Sequence, residues 1–347
     1  MPSASLCEEI EVIASNYSRF TRRHFLTRST ALAAASFFCQ SENVLAGPPP
    51  EITTIRLEEF PAICLAPQYL AEDLLYAEGF SKVEFTKSTA NVVSNTGAID
   101  FSMVTAAALV ADQDTNSRFM VIAGIHAGCE ELFGNERVQA IRDLKGKSVA
   151  FSAMGSGEHI SVASVAAYVG IDPKRDIKWV VAKTSKAALQ LFVDGKVDAY
   201  WAFEPQPHQL KAMKIGHVIL STAEDKPWSQ YFCCLLSARR EFAQRYPVAT
   251  KRALRAFLKA TDICANEPER AAKYLKEKGH EANYELSLEV LKSLPFNRWR
   301  DANPEDTIRF HALRLYEVGM IKTPPNKLIA QGTDWRFLNE LKKELKA

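Results

Sequence analysis

A short glycine-rich loop is the first feature whose residues could bind a ligand. Gly155-Ser156-Gly157 follows the apolar run Ser148–Phe151 and precedes an alanine-rich stretch that closes at Gly170. This pattern predicts a buried strand, a turn, and a helix with Ser156 as its N-cap. The first backbone N–H groups of a helix have no partner within it, so a small polar or anionic ligand could bind there. An ordinary strand–helix connection has the same pattern, and both interpretations stay open on the loop alone.

The cysteines and histidines show no metal or catalytic spacing. Beyond residue 46 the chain keeps an odd number of cysteines, which leaves at least one outside any disulfide: Cys64, Cys129, Cys233, Cys234 and Cys264. The nearest approach to a metal pattern is His126-Ala-Gly-Cys129, where the sequence favours a loop crossing between lobes. Cys233-Cys234 lies in an apolar run, which favours core packing over a redox site. GxSxG, P-loop and HExxH motifs are absent, so we predict no catalytic residue, no metal and no cofactor.

Composition indicates a globular chain large enough for two lobes. The 347 residues are 47% hydrophobic and 24% charged, and the formal net charge is +2. So small a charge does not predict a nucleic-acid-binding surface. After the N-terminal region, no apolar run reaches the ~20 residues that a membrane-spanning helix needs.

Residues 1–46 are predicted to be a twin-arginine export signal. Thr21-Arg22-Arg23-His24-Phe25-Leu26 carries the arginine pair, a charge-free apolar segment covers residues 29–38, and Val44-Leu45-Ala46 offers a cleavage site. An amphipathic helix of a cytosolic protein would explain the alanine run but not this succession. We therefore expect export by the twin-arginine translocase and a soluble periplasmic protein after cleavage near Ala46. The stretch before Arg22 is long for such a signal, which leaves the true start open.

From residue 51 onward, short apolar runs alternate with helical patterns, which predicts α/β lobes with crossover helices. One sequence pattern occurs twice: a turn glycine, an aspartate three residues later, and an apolar strand. Its copies are Gly97/Asp100 and Gly195/Asp198. After residue 241 the pattern becomes helical, with prolines or glycines near the boundaries. The predicted strands cover residues 52–57, 82–86, 99–104, 119–125, 148–151, 177–181, 197–201, 217–222 and 231–238.

The order of these motifs resembles the nitrate/sulfonate/taurine family of solute-binding proteins for ATP-driven importers. That family shares its fold with the thiamine-pyrimidine synthases. The matching pieces are Ala66-Pro67-Gln68-Tyr69-Leu70-Ala71, Gly97-Ala98-Ile99-Asp100-Phe101, residues 143–149, residues 168–173, Gly195-Lys196-Val197-Asp198-Ala199, Glu204-Pro205 and Tyr246-Pro247. The resemblance implies a type II periplasmic-binding fold: two α/β lobes joined by two crossover strands, with a ligand cleft between them. We expect residues 51–138 plus 240–347 in one lobe and residues 139–239 in the other.

In such a fold, loops at the carboxyl ends of strands would hold the ligand. The first lobe would supply Glu59, Phe60, Pro61, Thr105 and Ala106. The second would supply Gly155, Ser156, Gly157, His159, Trp201 and Glu204. Four of these residues have an alternative role: Phe60 and Trp201 as core residues, His159 as a surface cap, and Glu204 in a salt bridge within its own lobe.

The charges near these loops argue against a simple anion as the ligand. Glu158 lies in the first turn of the helix, where a carboxylate already satisfies the helix dipole and would repel an anion unless it points away. Glu59 and Glu204 add negative potential, and the loops contain no lysine or arginine. We expect a neutral or nitrogen-containing small molecule, with an aromatic ring stacked between Phe60 and Trp201. Sulfonate-like ligands stay open because of the resemblance.

The resemblance thus predicts an exported solute-binding protein whose partner is the membrane permease of an ABC importer. The alternative is an enzyme similar to the thiamine-pyrimidine synthases, which carry a cysteine-rich run for iron and a lysine for a pyridoxal cofactor. Here the candidate run, residues 232–236, is short of sulfur, and Lys183 or Lys186 would have to replace that lysine. A sensor or regulatory subunit on the same fold is a third interpretation.

Overall fold

The computed structural model describes residues 47–87, 99–115 and 118–346. The predicted export signal, residues 1–46, and the turn at Gly97 lie outside the described residues. No described helix is both long and apolar enough to cross a membrane.

The described residues form ten strands. They are β1 Thr54–Glu59, β2 Lys82–Lys87, β3 Phe101–Thr105, β4 Phe119–Ala127, β5 Glu130–Gly134, β6 Ser148–Phe151, β7 Lys178–Val181, β8 Ala199–Phe203, β9 His217–Ser221 and β10 Phe232–Arg239.

Twelve α-helices lie in the same part of the chain. They are α1 Ala66–Ala77, α2 Ala106–Thr115, α3 Gly157–Tyr168, α4 Ser185–Val193, α5 Gln206–Met213, α6 Arg240–Arg245, α7 Pro247–Asn266, α8 Pro268–Glu277, α9 Tyr284–Ser293, α10 Pro304–Glu317, α11 Pro325–Gly332 and α12 Arg336–Glu344. Short 3-10 turns cover Ile63–Leu65, Ile141–Leu144, Trp228–Gln230 and Phe296–Trp299.

The strands form two five-stranded sheets, one in each lobe. The first has the order β2-β1-β3-β10-β4 and the second β7-β6-β8-β5-β9. In each sheet one strand runs antiparallel to its two neighbours: β10 between β3 and β4, and β5 between β8 and β9. Each of these strands enters its sheet just after the chain has crossed from the other lobe. This is the two-lobed type II periplasmic-binding architecture, and it confirms the predicted fold class.

The strand pairing places the lobe boundaries earlier than the sequence suggested. Residues 130–134, expected in the first lobe, form β5 in the second sheet, and residues 232–239, expected in the second lobe, form β10 in the first sheet. The outward crossing is at Gly128, where φ is +47° and a Cβ atom would lie 2.4 Å from Cα of Ala223. Only glycine fits this crossing without a backbone shift.

The repeated aspartate ties neighbouring strands together in both lobes. Asp100 Oδ2 accepts a hydrogen bond from the backbone N–H of Arg56 (3.0 Å). Asp198 Oδ2 accepts the equivalent bond from the N–H of Ser148 (2.8 Å). Both carboxylates therefore anchor the neighbouring parallel strand, β1 or β6, beside the strand that follows the aspartate. These bonds lie at the amino ends of β3, β6 and β8, at the opposite edge of each sheet from the carboxyl ends.

The two lobes touch along several contacts. The first-lobe helix α10 packs on α3 of the second lobe, and Ser164 Oγ lies 3.2 Å from His311 Nδ1. The Phe60 and Phe203 rings meet with centroids 5.3 Å apart. The N–H of Ile63 donates to the carbonyl of Glu204 (3.3 Å). The described structure is therefore a closed arrangement of the lobes.

Candidate functional site

A small cavity lies between the two lobes, at the crossover segments. The volume that the centre of a water molecule can occupy inside it is about 20 Å³, which is room for roughly one water. Both lobes contribute to the lining, which consists of Ala106, Ala107, Gly128, Glu130, Ser161, Val165, Trp201, Thr222, Trp228, Tyr231, Phe232, Cys233 and His311. The structure therefore has an enclosed inter-lobe site, in a closed state too tight for an organic ligand.

Three polar atoms of this lining are buried without a hydrogen-bond partner among the described residues. They are Trp201 Nε1, Trp228 Nε1 and Glu130 Oε1. Thr105 Oγ1 is in the same condition at the end of β3, next to the lining residue Ala106. A buried polar group without a partner costs about 1–3 kcal/mol, so such atoms mark positions where a polar ligand or water can bind.

The cavity carries little charge. Burial raises the pKa of Glu130 well above its ordinary value and so favours the neutral carboxyl, while the neighbouring Trp201 indole acts in the opposite direction. Burial lowers the pKa of His311 to about 4, so this imidazole is neutral as well. Among the described residues that line the cavity, none is a lysine or an arginine. The cavity therefore offers hydrogen bonds and aromatic surface but no fixed cation for an anionic ligand.

Next to this cavity, four side chains with metal-binding atoms converge. The sulfur atoms of Cys64, Cys129 and Cys234 and a ring nitrogen of His126 all lie within 4.8 Å of one another, and all four residues are buried. Four segments place them. Residue 64 belongs to the 3-10 turn after β1, residue 129 to the crossing after β4, and strands β4 and β10 hold the other two in directly opposed positions.

This cluster corrects the prediction that the cysteines and histidines form no metal-like group. Sequence spacing missed it because the four side chains come from distant segments that only the strand pairing unites. The pair His126 and Cys129 was the one local signal, and it was interpreted as a crossing loop. The crossing is there, but Cys129 also joins the cluster. Cys233 and Cys234 are buried as predicted, yet they contact other sulfurs rather than only apolar core: Cys233 Sγ lies 2.7 Å from Cys129 Sγ.

Comparisons with known proteins agree with this architecture. A model of the NMT1-like family matches residues 77–276, more than half of the chain. The chain belongs to the NMT1-like family. A search of curated proteins finds no match.

Solved structures resemble this NMT1-like chain in fold at low sequence identity. The periplasmic nitrate-binding protein NrtA from Synechocystis PCC 6803 is 15% identical with a TM-score of 0.72, over 86% of this chain and 90% of that one. The alkanesulfonate-binding protein SsuA from Xanthomonas axonopodis pv. citri, bound to MOPS, is 17% identical with a TM-score of 0.66, over 82% and 99%. The desulfurization enzyme DSZB also matches, at 13% identity and a TM-score of 0.54, over 84% and 99%. The fold is therefore shared by binding proteins and by at least one enzyme.

Of the first-lobe residues predicted to hold a ligand, Ala106 lines the cavity of this NMT1-like protein and Thr105 lies beside it. Phe60 does not reach the cavity, because its ring packs on Phe203. Glu59 Oε1 lies 3.8 Å from His280 Nδ1, and Pro61 lines a separate small cavity beside that histidine. The alternative role of Phe60 as a packing residue fits its contacts better.

The second-lobe loop closes on itself instead of opening towards the cavity. The N–H of Gly155, where φ is +82°, donates to His159 Nδ1 (3.2 Å), and Ser156 Oγ accepts from the N–H of His159 (3.4 Å). Ser156 is thus the predicted N-cap of α3. Because these groups already have partners, residues 155–157 and His159 do not line the cavity, which α3 reaches one turn later through Ser161.

His159 and Glu158 both point into the second lobe. The His159 ring packs between Phe151 and Trp179, with centroids 5.1 and 4.7 Å away, and burial lowers its pKa to about 4. It is a buried residue, not a surface cap. Glu158 accepts hydrogen bonds from the hydroxyls of Ser152 and Ser185. This carboxylate points away from the cavity, so its charge does not decide which ligand binds.

The other two predicted residues have different roles. Trp201 lines the cavity with its unpartnered indole nitrogen. Glu204 accepts from His208 Nδ1 (2.7 Å) within its own lobe, the alternative considered for it, while its carbonyl contacts the first lobe at Ile63. The lysines required by the enzyme alternative, Lys183 and Lys186, are exposed and do not line the cavity.

Several lining residues escaped the sequence prediction: Glu130, Thr222, Trp228, Tyr231, Phe232 and His311. All but His311 lie in or next to the two crossings between the lobes, whose path depends on the sheet pairing. His311 comes from α10, which looks like an ordinary surface helix in the sequence. The tryptophan at 228, beside the return strand, was the strongest unused local signal.

Proposed function

We propose that this protein is an exported solute-binding protein that delivers a small, neutral, polar molecule to an ABC importer. The observation that supports this most is the inter-lobe cavity with unpartnered polar atoms. Both lobes line it, so a ligand bound there would hold them together, as expected of a protein that closes on its solute.

The lining argues for the chemistry of the ligand. The two indole N–H groups of Trp201 and Trp228 can only donate hydrogen bonds, so the ligand needs acceptors facing them. The Trp201 indole lies beside the Glu130 carboxyl, so a ligand acceptor there would contact both side chains. The neutral carboxyl that burial favours at Glu130 could both donate and accept. Tyr231 adds a partly buried ring. A neutral amide, urea or nitrogen heterocycle satisfies all of these groups, with Trp201 rather than Phe60 as the aromatic contact.

Anions are poor ligands for this cavity. NrtA is a nitrate-binding protein and SsuA an alkanesulfonate-binding protein. A sulfonate or nitrate in the cavity of this chain would lose its hydration and meet no lysine or arginine among the described lining residues. We therefore place this chain apart from those two proteins in ligand, though not in fold.

Entry of an organic ligand requires the lobes to separate. The described cavity holds roughly one water, so the lobes must separate for the ligand to enter and must stay further apart than described while it is bound. The twin-arginine pattern in residues 21–26 supports export to the periplasm, where an open binding protein would collect its solute and pass it to the membrane permease.

A matched pair of tryptophan variants tests the proposed site. Trp201→Phe keeps an aromatic ring and removes the hydrogen-bond donor. The control, Trp335→Phe, removes an indole that donates to Glu305 (3.3 Å) and does not line the cavity. The wild-type protein is first screened by thermal shift against neutral amides, ureas, pyrimidines and imidazoles. A hit at 100-fold its Kd should raise Tm by about 5 °C or more, because binding adds about 2.7 kcal/mol.

Calorimetric titration of that hit then compares the variants. We expect Trp201→Phe to weaken binding about tenfold, the effect of one hydrogen bond, and Trp335→Phe to leave it unchanged. Equal affinity in wild type and Trp201→Phe would place the ligand elsewhere, and the absence of any hit would count against a neutral solute.

A further inference from the structure

We propose that Cys64, His126, Cys129 and Cys234 form a closed zinc site that fastens the hinge between the lobes. This site is distinct from the solute cavity and does not depend on which solute binds there.

The donor set and its spacing suit a tetrahedral zinc ion. Three sulfurs and one imidazole nitrogen lie within 4.8 Å of one another. With Zn–S bonds of 2.3 Å, tetrahedral geometry requires sulfurs about 3.8 Å apart, so side-chain shifts of about 1 Å complete the coordination shell. Four protein ligands leave no open position, which is the arrangement of structural rather than catalytic zinc.

The imidazole is already oriented as a metal ligand. His126 Nδ1 lies 3.2 Å from the carbonyl oxygen of Ala127, which can only accept, so Nδ1 carries the proton. Nε2 is buried and has no hydrogen-bond partner among the described residues. Metal-bound histidines usually donate their other ring N–H to a carbonyl or carboxylate in this way.

The backbone holds the ligands rigidly. Cys234 and His126 are opposed across the β10–β4 pair near the end of β4, where the register shifts on both sides of Cys234, and all four side chains are at most 4% exposed. By contrast, Cys264 on α7 is a fully buried cysteine outside the cluster, where a thiol serves as an ordinary small apolar side chain.

The position gives the ion a mechanical role. Cys129 lies in the outward crossing, Cys234 in the strand that returns, and Cys64 in the turn next to the Ile63–Glu204 contact between the lobes. One zinc would tie these three segments together. Lobe opening would then have to bend the chain beyond the ion, around Thr222 to Tyr231 and near Gly128.

A disulfide between Cys129 and Cys233 would compete with zinc binding for the sulfur of Cys129, because the two Sγ atoms are 2.7 Å apart. The two states exclude each other, since a sulfur in a disulfide is no longer a thiolate ligand. Zinc binding involves no oxidation: three thiols lose their protons to solvent, and the ion gains three Zn–S bonds and one Zn–N bond.

Metal analysis of the full chain, purified without chelator from zinc-replete cells, tests the proposal. We expect about one zinc per chain and an X-ray absorption spectrum of three sulfurs and one nitrogen. Cys234→Ser and His126→Gln should weaken zinc binding more than about 100-fold, since even second-shell changes cost 10–100-fold. Cys264→Ser, the matched control, should keep the full zinc content.

Three results would overturn the zinc site. They are folded wild-type protein without zinc, a stoichiometric content of copper or iron in its place, and a Cys129–Cys233 disulfide found by peptide mass spectrometry in protein from the periplasm. The absorption spectrum uses wild-type protein, so the test stands even where a ligand variant fails to fold. Solute binding is measured separately and can succeed or fail independently.

Discussion

Replacing Asp198 with alanine should destabilise the second lobe more than any ordinary surface substitution. Its carboxylate accepts hydrogen bonds from the N–H and the hydroxyl of Ser148, both at 2.8 Å, and from Asn135 Nδ2 at 3.2 Å. Arg137 pairs with it from the surface at 2.5 Å. The pattern recurs at Asp100, so this interaction anchors one sheet in each lobe.

The magnitude follows from the partners. Hydrogen bonds to a charged group contribute about 1.5–3 kcal/mol each, but they are not additive, and the exposed ion pair adds at most about 1 kcal/mol. We therefore expect Asp198→Ala to lower the free energy of unfolding by about 3–4 kcal/mol. Asp198→Asn keeps one acceptor oxygen and should cost about half as much. Asp194→Asn serves as the control: this exposed aspartate of the same lobe pairs with Lys196 and accepts from Gln190, and its replacement should cost less than about 1 kcal/mol.

The dependence on pH gives a second signature. Burial alone would raise the pKa of Asp198, but hydrogen bonds from Ser148 and Asn135 and the charge of Arg137 outweigh it and lower the pKa. A depressed carboxyl pKa stabilises the fold above the unfolded value of about 3.9, and this stabilisation is lost as pH falls through the folded value. Urea denaturation should therefore show a constant difference between wild type and Asp198→Ala from pH 7 to about 5, which shrinks below about 3.9. An Asp198→Ala variant as stable as Asp194→Asn, or a difference unchanged at the lowest pH, would refute this reasoning.

Two further predictions concern other parts of the chain. Because burial lowers the pKa of His159 and His311 to about 4, the unfolded state binds more protons than the folded state between pH 4 and 6.5. The free energy of unfolding should drop by about 3 kcal/mol per histidine as pH falls through that window. The variant His159→Gln should remove about half of the drop. An unchanged pH profile of this variant in denaturation experiments would contradict a buried neutral His159. Replacing both Arg22 and Arg23 with lysine should keep the protein in the cytoplasm in fractionation blots, whereas Arg28→Lys should not; normal export of the double variant would rule out the twin-arginine route.

Much of the fold was readable from the sequence where local signals agree. α4, Ser185–Val193, and α7, Pro247–Asn266, begin at local signals that the sequence shows: Thr184 caps the first helix, and a proline starts the second within the helical pattern predicted after residue 241. Strand β5 was missed because Glu130–Gly134 combines charged and apolar residues without alternation. Its identity as a strand comes from partners on both edges, β8 and β9, that local sequence does not reveal.

The candidate site was less predictable. Ala106 could be found because it directly follows β3, and Trp201 because it lies in β8, two residues before the carboxyl end of that strand. The glycine loop at 155–157 does not line the cavity, and the N–H groups of Gly155 and Ser156 bond to His159 Nδ1 and to the carbonyl of Ala153, local contacts that the sequence pattern does not reveal. The cysteine cluster depends on the opposition of β4 and β10 and on the 3-10 turn after β1, contacts far apart in sequence.

Whether the cavity binds a neutral solute and not an anion can be measured by calorimetric titration. The wild-type protein is titrated with taurine, nitrate and the neutral compounds found by thermal shift. The absence of lysine and arginine from the described cavity lining predicts no measurable heat with taurine or nitrate and micromolar binding of a neutral amide, urea or nitrogen heterocycle. Micromolar binding of taurine or nitrate, without binding of any neutral compound, would contradict the proposal of a neutral solute.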